Sequence, residues 1–119
     1  MLMLSTQEST MNNIVKPVSV RVVVLVSLMA DGPKSGLSRL YFGEARYAHR
    51  SKGGSKANTS FDRIRKIAVA QGFIKPYIGS GAYEITELGK ELIKREESRG
   101  MIISEQHKMI QAEFEKNIA

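Results

Sequence analysis

Gln71–Arg95 reads QGFIKPYIGSGAYEITELGKELIKR, and this stretch decides the fold. Phe73 to Ile78 is short and apolar with alternation, as strands are. Gly79-Ser80-Gly81 is a turn, and Ala82 to Ile85 resumes the alternation. The two runs predict a small β-hairpin, with Pro76 confining its strand to an edge because proline has no ladder donor. Thr86 then caps a helix that carries Leu88, Leu92 and Ile93. A lone hairpin is marginal in water, so this one must pack on helices.

Helices are expected upstream. Thr59 or Ser60 to Gln71 has an apolar stripe of Phe61, Ile64, Ile67 and Ala68. Asn58 and Thr59 are credible N-caps, Thr59 with Asp62 approximates a capping box, and Gly72 is a natural C-cap. His49 to Asn58 (HRSKGGSKAN) reads as a basic loop, given its paired glycines and its serines. Ser35 to Tyr47 is a helix with Leu37, Leu40, Tyr41, Ala45 and Ala48 on one face, capped by Ser35 or Gly36. Val18 to Ala30 is valine-rich, which suits a strand. Its length favours a buried helix, stopped by Asp31-Gly32-Pro33.

Downstream, Gly100 breaks or kinks the chain, and Ile102 to Ile118 is a last helix. The expected organisation is a mobile tail over residues 1–13, a domain over 14–99 and a C-terminal helix over 100–119. The fold class is mainly α with a small β-hairpin.

With 119 residues, 42% apolar and 25% charged, the chain has the composition of one ordinary globular domain. Cysteine is absent, which excludes disulfides, thiolate metal sites and cysteine nucleophiles. His49 and His107 have no ligand-like spacing, so neither a metal nor a cofactor is expected. No nucleophile motif or paired-carboxylate arrangement is visible, and the C-terminal acids alternate with bases as on a solvated helix face. An enzyme is therefore not expected. The longest apolar run, Val18 to Ala30, is too short to span a bilayer and contains Arg21, so a cytoplasmic protein with no membrane partner is expected.

The net charge is +6, and its distribution matters more than its size. Residues 46–66 hold seven basic residues against Asp62 alone, an excess equal to the net charge of the whole chain. Such a block is usually a solvated loop, but here it includes the start of a helix. Ser60, Arg63 and Lys66 recur every three residues opposite the apolar stripe.

Taken in order, these elements resemble a winged helix-turn-helix. The resemblance rests on the glycine and apolar residue that leave the third helix, and on the return through Tyr83, Ile85, Thr86, Glu87, Leu88 and Gly89. Leu25 to Gly36 (LVSLMADGPKSG) is similar to the first helix and following loop of PadR-like regulators, with MarR-like regulators the other near resemblance. The resemblance spans about residues 17–95 and implies binding of double-stranded DNA, with the third helix in the major groove.

On that basis Ser60, Arg63 and Lys66 are expected to read bases, because arginine can bond guanine in bidentate fashion. Arg50, Lys52, Ser55, Lys56, Thr59 and Arg65 suit phosphates, although Arg65 could equally pair with a carboxylate. Lys75, Tyr77 and Ser80 would form the contacting part of the wing. Tyr41, Tyr47, Tyr77 and Tyr83 are expected to pack rather than stack on bases.

Ile103, Met109, Ile110 and Phe114 form a narrow seam that would be an uncovered patch on a lone domain. It is expected to close a two-fold homodimer, the alternatives being that it folds back on its own domain or frays. The expected function is a homodimeric transcriptional regulator, a repressor. The alternative is a plasmid-partition or architectural protein that spreads along DNA and recruits a partner protein.

Overall fold

In a computed structural model the chain is mainly helical with one two-stranded antiparallel hairpin. The structure describes residues 17–43, 50–79 and 81–118, and within 50–59 and 117–118 the backbone alone. The expectations for the tail over 1–13, and for Ala45, Tyr47, Ala48, His49 and Ser80, lie outside these residues.

α1 (Val20–Ser27) is the centre of the core. Ser19 caps it, its hydroxyl accepting from the Val22 amide at 3.3 Å. Five consecutive residues, Val22 to Val26, are buried, which requires packing partners on every side of the helix. Burial all round overrides the mild helix-disfavouring tendency of valine. α2 (Leu37–Phe42) begins at Gly36, held at φ 62°, and buries Leu37, Tyr41 and Phe42. Leu40, expected on the buried face, is exposed, and Phe42 takes a core place instead.

α3 (Arg50–Ala70) is one helix of 21 residues, and over 50–58 this corrects the expected loop. Gly53 and Gly54 lie inside it, so Asn58 and Thr59 are interior positions rather than caps. Glycine lowers helix stability by about 1 kcal/mol each relative to alanine but does not forbid the geometry, and no proline interrupts the segment. The helix ends in a Schellman arrangement. Gly72 adopts φ 81°, its amide donates to Val69 O, and the Phe73 amide donates to Ala68 O.

β1 (Ile74–Pro76) and β2 (Tyr83–Ile85) pair antiparallel, Ile74 opposite Ile85 and Pro76 opposite Tyr83. The free side of β2 takes a further bridge, since Lys34 and Tyr83 exchange both backbone hydrogen bonds at 3.0 and 2.9 Å. β2 is thus central, and Pro76 lies on the outer strand, where its missing donor costs nothing.

α4 (Glu87–Ser98) starts at Thr86, whose hydroxyl accepts from the Gly89 amide at 3.0 Å. It ends at Gly100 with a second Schellman pair, Gly100 N–H to Glu97 O and Met101 N–H to Glu96 O. α5 (Ile103–Ile118) then packs back along α1 and α2. Phe114 sits 4.5 Å from Phe42 between ring centroids, and Ile110 belongs to the same buried core as the valines of α1. The ring of His107 lies across the end of α2, its Nε2 2.9 Å from Tyr41 O and 3.0 Å from Leu40 O. Both are carbonyls at the end of the helix, which the helix itself leaves unpaired.

The seam expected to face a second copy is therefore largely covered within the chain. Ile103 and Phe114 are half-buried against the core and Ile110 is buried, leaving Met109 exposed. The physical reason is α1. A helix buried all round needs a cover on the side that α3 and α4 do not reach, and α5 supplies it. No helix among the described residues is long and apolar enough to cross a membrane.

Candidate nucleic-acid interface

The site is built on α3 and the hairpin that follows it. α3 is anchored to the core through Phe61, Ile64 and Ala68, and this phase leaves Ser60, Arg63 and Lys66 exposed. The three residues selected for base reading thus share the solvent side of the helix. Ile67 lies with them. Although expected in the core stripe, it is 39% exposed. A shallow depression is lined by Asp62, Arg63, Lys66, Ile67 and Ala70.

Arg65 has another position. Its Nη1 donates to the Tyr83 hydroxyl at 2.8 Å, and its Nη2 lies 3.4 Å from the Asp62 carboxylate. The guanidinium also stands 5.8 Å from the centre of the Tyr83 ring. The side chain expected on a phosphate is engaged inside the molecule, because the Tyr83 side chain of β2 reaches back to α3. Since Tyr83 also exchanges backbone hydrogen bonds with Lys34, one residue joins α3, the hairpin and the segment between α1 and α2. No periodicity marks this pairing, for the two residues are 18 positions apart.

At the hairpin, the Tyr77 amide donates to Ala82 O at 2.9 Å, which closes the pairing of the two strands at the tip. Gly79 and Gly81 adopt φ 96° and 78°, conformations that favour glycine. Lys75 and Tyr77 are both exposed, so Tyr77 does not pack into the core as expected. Lys75 Nζ is 4.0 Å from Glu84 across the strands, a weak surface pairing. Ile78 is 85% exposed at the tip, a feature the sequence reading did not single out.

Arg50, Lys52, Ser55 and Lys56 belong to α3 rather than to a loop, and Thr59 lies inside the helix rather than at its start. Positions 52, 56, 59, 63, 66 and 70 step by four and three, the spacing of one side of a helix. Among the described residues no group of three potential metal ligands is brought together. Comparison of the chain with protein-family profiles, with curated proteins and with solved structures finds no match.

Proposed function

We propose that this chain is a winged-helix protein that binds double-stranded DNA, with α3 as the recognition helix and the β1–β2 hairpin as the wing. The observation that carries the reading is the arrangement of α3. It is about 30 Å long, carries most of the chain's concentrated positive charge, is anchored by one apolar stripe, and exposes Arg63 and Lys66 on the other side. The Lys34–Tyr83 bridge supports it, since it joins the segment between the first two helices to the hairpin as a minimal third strand.

In this reading Ser60, Arg63 and Lys66 contact base edges. Positions 50, 52, 55, 56 and 59 supply the phosphate contacts from the N-terminal half of α3. Arg65 holds the wing to α3, and Lys75 and Tyr77 approach the neighbouring groove or backbone. A single recognition helix gains affinity by pairing on half-sites about one turn apart, so the reading includes a homodimer. Its contact falls outside the covered α5 seam. The cellular role is regulation of transcription, with spreading along DNA as the alternative.

Fluorescence anisotropy with labelled duplexes at several salt concentrations tests the reading. Binding is expected, with log affinity falling against log salt at a slope steeper than about −3. No binding to any duplex at low salt overturns it. Footprinting then assigns the role: a short palindromic footprint goes with a repressor, an extended cooperative one with a spreading protein.

A further inference from the structure

Ile67 is the residue of α3 whose position its own periodicity misjudges. Phe61, Ile64 and Ala68 are buried, and Arg65 and Val69 flank them half-buried. At 100° per residue, Ile67 lies about 90° around the helix from the centre of the stripe formed by Phe61, Ile64 and Ala68. No described element covers it there. Its neighbours on the helix surface are Arg63, Lys66 and Ala70, and together they line the shallow depression. Asp62 closes one edge, with its carboxylate held 3.4 Å from Arg65.

The depression is chemically mixed: two cations border a branched aliphatic side chain and a methyl group. A phosphate chain would use the cations and leave the apolar atoms without a function. The major-groove edge of a duplex uses both. Guanine presents acceptors to an arginine or lysine, and thymine presents a C5-methyl group that apolar side chains contact. Resting on the DNA-binding reading above, we propose that Ile67 and Ala70 are specificity residues that read thymine methyl groups beside the base contacts of Arg63 and Lys66. The preferred site then contains thymine within a base pair or two of the guanine that Arg63 reads.

The test starts from duplexes selected by the wild-type protein from a random pool. Each thymine of the selected site is replaced singly by uracil, which removes only the methyl group. Wild-type and Ile67→Ala proteins are titrated against every duplex. Ile67 is partly exposed, so the variant keeps the fold, and its thermal unfolding midpoint is checked.

At one or two thymines, uracil is expected to weaken wild-type binding about four-fold, the worth of one buried methyl. The same uracil leaves Ile67→Ala binding unchanged, a coupling that identifies contact. Arg63→Ala, which loses guanine preference, keeps the uracil sensitivity. If uracil at every thymine leaves wild-type binding unchanged, the inference is overturned while the DNA-binding reading stands. Undiminished uracil losses in Ile67→Ala overturn it in the same way. A pool from which no duplex is retained overturns both.

Discussion

Gly89, in the first turn of α4, stands against the segment that leads from α3 into β1, and a Cβ there would overlap Phe73 O and lie 2.7 Å from Ile85 Cγ1. The approach is close because Thr86 ties the two segments together: its amide donates to Phe73 O, and its hydroxyl reaches the carbonyls of Gly72 and Phe73. Backbone cannot yield as a flexible side chain can. Gly89→Ala is therefore expected to cost about 2 kcal/mol or more, read as a lower denaturation midpoint. An unchanged midpoint would show that α4 shifts freely on the hairpin.

Tyr41 is fully buried, and burial pushes its hydroxyl pKa up to about 12, with the nearby Arg21 cation opposing the shift. No hydrogen-bond partner of good geometry meets that hydroxyl among the described residues. Below the ordinary tyrosine pKa of about 10 both folded and unfolded chains keep the proton, and its contribution to stability is fully present. As pH rises from about 10 towards 12, the unfolded chain releases the proton first and that stability is lost. Melting temperatures between pH 9 and 12 should fall more steeply for the wild type than for Tyr41→Phe. Parallel curves would mean that the hydroxyl ionises freely in the fold.

At the scale of elements, α5 decides how the molecule is divided. Phe114 against Phe42 and Ile110 against α1 make it part of the single core, not an appended arm. The ion pair of Arg21 with Glu113, 3.2 Å between Nη2 and Oε1, fastens the same two helices at the surface. A chain ending at Arg99 should lose its cooperative unfolding, because α1 would show buried valines to water. Phe114→Ala should lower stability by about 2 kcal/mol with no change in oligomeric state, as read by circular dichroism and light scattering. A truncated chain that melts cooperatively at the wild-type temperature would refute this place for α5.

Across the whole molecule, charges divide by location. Along α4 and α5 the acids lie beside bases: Glu87 with Lys90, Glu96 with Arg95 and Arg99, Glu105 with Lys108. Glu96 is even buried, its carboxylate 2.8 Å from Arg95 Nε. On α3 the single acid, Asp62, faces an excess of bases and is engaged by Arg65. Among the described side chains, α3 thus exposes Arg63 and Lys66, while the described ion pairs of α4 and α5 largely cancel.

Local chemistry alone determined much of this. The hairpin, the caps at Thr86 and Gly72, the break at Gly100 and the edge position of Pro76 all follow from φ preferences, donor counts and short-range hydrogen bonds, whereas α1 ends at Ser27, ahead of the Asp31-Gly32-Pro33 stop. These act within a few residues, so the sequence shows them directly. The exposed side of Arg63 and Lys66 was legible for the same reason, as an arc opposite an apolar stripe. Only the tertiary structure decided the rest. The phase of α3 is set by what packs on it, which exposes Ile67 and Leu40 loses its burial to Phe42 on α2 by the same kind of choice. Glycines 53 and 54 weaken a helix without ending it, so continuity was a balance of energies rather than a signal. Arg65 met Tyr83, and the α5 seam met α1 and α2, through contacts between residues distant in the chain. Such pairings leave no period to read, because burial depends on which surfaces the fold brings face to face.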